Sequence, residues 1–201
     1  MWAMEAGLRE RKKQRTREQI VAAAFRLFDE RGYHATTVAD IAAAADIAPR
    51  TFFAYFPSKE AVVFNDFEPV FASMKARIEQ RSDAESTIDA LRAWIDELLP
   101  AEWHEGEDAE VRKCLIAEEP ALAAHSRHLL SRFEDVLREG VARDLGDPPD
   151  SLRATLVAAA ATATVSAIDK SGSDKATAIQ MLDQAFVFLR AGIDALRPEP
   201  A

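Results

Sequence analysis

Cysteine occurs once, at Cys114, so no internal disulfide can brace this chain. Glycine is scarce, with seven in 201 residues, and no Gly-rich loop of the kind that cradles phosphates is present. No charge-free run reaches the roughly 18 apolar residues that a membrane-spanning helix needs, so no membrane partner is expected. The opening MWAMEAGLRERKKQ has no apolar segment after its charges, so no secretory signal is expected and the chain reads as cytoplasmic. Strand signals are nearly absent. Catalytic constellations are missing too: Cys114 has no His at a recognisable motif spacing, and an enzyme is not expected. His125 and His128 stand three apart, with Cys114 and His104 available to complete a metal set. Surface or packed residues are the preferred reading of all four, and no metal or cofactor is expected.

What the chain does hold is helix. Hydrophobic residues make up 48% of it, Ala is abundant, and apolar positions recur at spacings of three and four. An all-α fold of about nine helices is expected. A first helix should run from about Thr16 to Arg31 and stop at Gly32. A short second is expected from Val38 to Ala45 behind a Thr36 or Thr37 cap, and a third from Ala48 or Pro49 to Tyr55. After Pro57, Ser58 should cap a fourth, which Pro69 ends or bends. Five longer helices are expected at about 86–99, 109–118, 121–145, 149–170 and 174–196.

Charge is divided unevenly. Residues 1–59 carry ten Lys/Arg against seven Asp/Glu, a balance of +3, while the remainder carries fifteen against twenty-seven, or −12. The excess is sharpest at Arg9, Arg11, Lys12, Lys13, Arg15 and Arg17. A basic end on an acidic body suits a protein that offers one end to a polyanion, although a solubilising tail would look the same.

The segment TTVADIAAAADIAPRTFFAYF describes a helix-turn-helix. Val38, Ile41, Ala42 and Ala45 form an apolar face, and Ala42 and Ala45 are small enough for a second helix to cross closely. Asp46 sits at the turn, where a positive φ is tolerated by Asp. Phe52 and Phe56 should pack inward, leaving Pro49, Arg50, Thr51, Ala54 and Tyr55 facing out. From about Thr16 to Val63, through LFDERGY, TTV, DIAAAADI and TFFAYFPSKEAVV, the chain resembles the DNA-binding domain of the TetR (tetracycline repressor) family of bacterial regulators.

The resemblance implies a homodimeric, ligand-responsive transcriptional regulator, most simply a repressor, that binds a palindromic double-stranded DNA operator. Three parts are expected: a basic arm at 1–15, the DNA-binding domain at 16–63, and an effector-binding and dimerisation domain at 64–201. By position, Thr37 would cap the second helix and touch a phosphate; Pro49, Arg50 and Thr51 would enter the major groove; Tyr55 and Lys59 would hold phosphates. Thr36, Ala48, Phe53 and Ala54 complete the expected interface. The sequence departs from the family pattern at Asp46 (for Gly), Ala48 (for Ser), Arg50 (for a small residue) and Phe53 (for Tyr). The arm reads either as reaching a minor groove or phosphates, or as a tail that only steers approach.

In the last helix Ile179, Leu182, Phe186, Leu189, Ile193 and Leu196 are spaced 3-4-3-4-3, a heptad seam. The preceding helix is Ala-rich, with Ala159 and Ala163 small enough for close approach. Spacing alone allows an ordinary intramolecular core; the family resemblance implies that these two helices pair with a second copy. A small-molecule effector is expected among the middle helices, with Phe67, Phe71, Met74, Trp94, Trp103, Cys114, Phe133, Thr162 and Thr164 as candidate walls. Such walls would favour a largely apolar effector.

Overall fold

The computed structural model describes residues 2–102, 107–171 and 173–196, with side chains described for 9–98, 108–168, 170, 171 and 173–196. The described residues form ten α-helices and no strand. They are α1 Trp2–Arg31, α2 Val38–Ala44, α3 Pro49–Phe52, α4 Glu60–Val63, α5 Phe67–Glu79, α6 Thr87–Glu102, α7 Glu107–Glu118, α8 Pro120–Leu145, α9 Leu152–Lys170 and α10 Lys175–Leu196.

The local chemistry explains most boundaries. Gly32, at φ 83°, ends α1 by donating its N–H to the Phe28 carbonyl at 2.9 Å. Thr37 caps α2 in a reciprocal box: its Oγ1 accepts from the Asp40 N–H at 3.2 Å, and the Asp40 carboxylate accepts from the Thr37 N–H at 2.9 Å. Asp46 takes φ 55° just past α2, where Asp46 and Ile47 donate back to the Ala43 and Ala42 carbonyls, a Schellman motif with Asp where Gly is usual. Gly146 ends α8 the same way. Pro69 does not break the fourth helix as expected. The chain breaks earlier, at 64–66, and Pro69 falls in the first turn of α5, where its missing N–H has no helical partner to lose.

The chain divides into two compact units, Met1–Phe67 with His104–Ser126, and Glu68–Trp103 with Arg127–Ala201. This shifts the expected boundary at 63/64 and makes the first unit discontinuous. Its core gathers Ile20, Ala24, Phe25, Leu27 and Phe28 of α1, Ile41 and Ala42 of α2, Phe52 and Phe56, and Val62 and Val63 of α4. Leu115 of α7 and Leu122 of α8 complete it. Arg112 of α7 pairs with Asp66 at 2.7 Å and lies 5.5 Å from the Phe25 ring centroid. The reason is apolar: Leu115 joins the same buried cluster as Phe25, so α7 adds to the cover over α1.

The second unit packs α5, α6, α8, α9 and α10 around Met74, Ile78, Ile88, Leu91, Leu137, Val141, Ala158, Ala161 and four residues of the expected heptad seam. Leu182, Phe186, Leu189 and Ile193 are 1–4% exposed, so that seam is intramolecular core, a correction to its expected role between copies. It faces α9, whose alanines let the helices approach closely. Gly140 of α8 crosses α6 tightly, since a Cβ there would lie 2.7 Å from the Thr87 hydroxyl oxygen. Arg92 and Arg190 bind Asp183 and Asp89 at 2.6 Å each, clamping α10 to α6.

Candidate nucleic-acid interface

The interface is built on α1–α3. Thr37 and Asp46 fix the two ends of α2, and Ala42 and Ala45 let α3 cross it. The short α3 starts at Pro49, whose ring pre-sets a helical φ, behind Ala48, which offers no side-chain cap. Phe52 and Phe56 are fully buried beneath it, with ring centroids 5.9 Å apart. They hold α3 from behind. Ala48, Pro49, Arg50, Phe53 and Ala54 are exposed on the other side, while Thr51 and Tyr55 are half-buried at its edge. Thr37 is exposed with its hydroxyl donating to Asp40 at 2.5 Å. That hydrogen bond, joined by the Thr37 N–H, holds the Asp40 carboxyl below the usual carboxylate range. Because its folded pKa is depressed, Asp40 stabilises the cap above an ordinary carboxylate pKa of about 4, and the contribution fades as pH falls below that.

Two expected contacts are corrected. Thr36 is 1% exposed, and its hydroxyl donates to the Leu27 and Gly32 carbonyls at 3.2 and 2.9 Å. It ties α1 to the turn and cannot reach DNA. Lys59 is also engaged: its ammonium donates to the Tyr33 and Thr36 carbonyls at 2.7 and 3.2 Å and stands 4.0 Å from the Tyr33 ring centroid. Burial and the neighbouring Glu60 push the Tyr33 phenol well above its ordinary value. Lys59 is therefore a brace for the turn before α2. Lys59→Ala is expected to lower the melting temperature and to weaken binding to all DNA sequences alike. A lowered salt slope with unchanged melting would return it to the phosphate role.

The basic arm is corrected as well. Residues 2–15 continue α1 as one helix, because Arg, Lys, Gln and Glu are good helix formers even without an apolar stripe. A helix about 10–12 Å across does not enter a minor groove about 6 Å wide, which leaves phosphate contact or charge steering as the expected roles of this segment. Arg9, Arg11, Lys12, Lys13 and Arg15 are exposed on it. Arg17 is not part of that set: it donates to the Asn65 carbonyl at 2.8 Å and lies 4.3 Å from the Phe56 ring centroid, joining α1 to the end of α4. No local sequence signal separates Arg17 from its basic neighbours.

The candidate effector walls do not gather as expected. Phe67 and Cys114 fall in the first unit, Cys114 exposed on α7. Met74 is sealed in the second core, and Trp94 is nearly so, its indole N–H donating to Ser73 at 2.9 Å. Trp103 and His104 lie outside the described residues. Phe71 and Phe133 do meet, edge to face at 5.4 Å, and Phe71 lines a cleft of about 200 Å³ with charged rims. Thr162 lines another of about 250 Å³ between α8 and α9, and Thr164 is half-buried on the same helix. His125 stacks 4.8 Å from Phe64, and among the described residues no cluster of three or more metal-ligating side chains occurs. No described helix is long and apolar enough to cross a membrane.

Residues 20–65 match the family model for bacterial regulatory proteins of the tetR family, and residues 85–194 match the MftR C-terminal domain. The chain is 32% identical to the HTH-type transcriptional regulator TcmR of Streptomyces glaucescens, over 96% of this chain and 88% of that one. It is 30% identical to a Mycobacterium tuberculosis protein named for mycofactocin biosynthesis regulation, MftR, over 92% and 95% of the two chains. Among solved structures, a SmeT–triclosan complex superposes with a TM-score of 0.62 at 20% identity, covering 92% of this chain and 98% of that one. Thermus thermophilus FadR, a TetR-family repressor in complex with lauroyl-CoA, gives 0.57 at 23%, covering 92% and 98%. The chain belongs to the TetR family of DNA-binding transcriptional regulators.

Proposed function

We propose that the chain is a dimeric repressor that grips a two-fold operator through α3 and releases it when a small molecule binds the second unit. The observation that carries this reading is the outward face of α3. Arg50 stands exposed there on a helix held rigidly from behind by Phe52 and Phe56, and its bidentate fork matches guanine O6 and N7. The basic outer length of α1 adds sequence-independent attraction to phosphates. Arg50→Ala is expected to relax base preference at one position per half-site, at a cost of about 1–3 kcal/mol in a binding-site selection.

Dimerisation is read from a face other than the expected seam. Leu152, Leu156, Ala159 and Ala163 run along α9, with Leu152 72% and Leu156 56% exposed. On α10, Met181, Gln184, Phe188 and Ala191 form a second stripe at spacings of three and four, opposite the buried one. Phe188 is 68% exposed and Val187 65%. Ile179 is half-buried and lies nearer the buried stripe than this one. Two copies crossing these helices would cover both stripes and give recognition helices about 34–36 Å apart, or a multiple of a helical turn.

The effector is proposed to have an apolar body. Phe71 lines one cleft with Phe133 packed edge to face against it, and the ligands named for SmeT and FadR, triclosan and lauroyl-CoA, both carry large apolar parts. Release would follow from the effector's differential affinity for the DNA-bound and free states.

The test is fluorescence anisotropy on DNA from upstream of its own gene against random DNA, followed by a thermal-shift screen of ligands. The expected result is a specific complex that dissociates with an apolar hit. Equal affinity for both DNAs would indicate an architectural binder instead, and a clear preference for small, highly charged ligands would refute the apolar effector.

A further inference from the structure

We propose that Phe53 reads the methyl group of a thymine in the major groove and thereby sets base preference at one position of each half-site. This rests on the DNA-binding reading above. Phe53 is 56% exposed, and it is the one large hydrophobic side chain of the first unit to be so among the described residues. The other such side chains lie on α9 and α10 of the second unit, on the faces proposed to pair with another copy. Phe53 has no comparable cover.

Its position is set by the helix and by one buried neighbour. The backbone of Phe53 is helical (φ −67°, ψ −13°) and closes α3. Phe52 meets its ring edge to face, with centroids 5.5 Å apart and planes at 85°, and Phe52 is itself fully buried. Ala54 beside it is too small to shield it. Arg50 precedes it by three residues and so lies on the same side of the helix. The ring carries no donor or acceptor, so it can bond neither phosphate nor the polar edge of a base. The feature of a base pair that an apolar ring can recognise in the major groove is the thymine C5-methyl; the minor groove has no equivalent. Three residues of helix rise about 4.5 Å, close to one base step of about 3.4 Å. The thymine should therefore stand one or two steps from the position that Arg50 reads.

The test uses the full-length protein and the DNA selected by it. Each selected thymine is replaced singly by deoxyuridine, which removes the methyl group and nothing else, and dissociation constants are measured by anisotropy. At one thymine per half-site the wild type should lose about three- to fivefold in affinity, the scale of one buried methyl group. Phe53→Ala should bind the thymine and deoxyuridine sites equally, and Phe53→Leu should keep part of the difference. Because the ring is exposed, unchanged thermal melting is expected for both variants. The proposal is overturned if the wild type ignores deoxyuridine at every position, or if Phe53→Ala retains the full difference. A protein with no sequence preference at all would instead overturn the DNA-binding reading on which this one stands.

Discussion

Phe188→Glu is expected to convert the protein to a folded monomer and to lower operator affinity by about 10²–10⁴-fold. The side chain is 68% exposed in a single chain, so the carboxylate is tolerated there. In a pair of copies it would be sealed in an apolar seam, where an unpaired charge costs several kcal/mol. Loss of pairing removes the second half-site contact, and the fall in affinity is the loss of its effective concentration. Sedimentation or light scattering reads the mass, and anisotropy reads the binding. Leu182→Glu, one residue on the other face of α10, is the contrasting variant: Leu182 is 4% exposed, and the second unit itself should fail to fold. A Phe188→Glu protein that remained dimeric would rule out this face.

Asp144→Ala should remove about 3–5 kcal/mol of stability, out of the 5–15 typical of a folded chain. Asp144 Oδ1 accepts from Arg81 at 2.5 Å and Oδ2 from the Thr87 N–H at 2.6 Å, at the start of α6. The two side chains are 9% and 5% exposed, so the guanidinium left behind cannot regain water. Arg81 also donates to the Ile78 and Gly140 carbonyls, which keeps it in place once its partner is gone. Removing both charges together, as Arg81→Met with Asp144→Leu, should cost less than Asp144→Ala alone. Urea denaturation measures both. A loss under about 1 kcal/mol for Asp144→Ala would mean that the site relaxes and rehydrates.

The features legible in the sequence were those decided within a few residues. The Thr37 cap, the left-handed turn at Asp46 and the inward aromatics Phe52 and Phe56 depend on near neighbours, and they stand where the residue types predict. The family resemblance covered the same stretch. What was not legible depends on distant partners. A 3-4 apolar repeat says that α10 has a buried stripe but not what buries it. Here α9 and the rest of the second unit take Leu182 and Phe186, and the outer stripe was masked by Gln184 and by alanines. Lys59 read as a phosphate ligand and Arg17 as one more charge of the basic end, because exposed cations look alike in a sequence; their carbonyl partners, at 33, 36, 55 and 65, become visible only in three dimensions. The charged stretch of α1 from Arg9 to Arg17 carries no apolar periodicity at all.

The discontinuity of the first unit bears on how its reading head can be transplanted. A fragment ending at Phe67 would carry every residue of the helix-turn-helix yet leave Phe25 and its neighbours on α1 without Leu115 and Leu122. It would be prone to aggregate rather than stand alone as a minimal DNA binder. A hybrid regulator made by grafting residues 1–67 onto a foreign sensor would inherit a mismatched α7. Moving 107–126 in the same graft should restore the fit, so the interchangeable cassette in this chain is two stretches of sequence and not one.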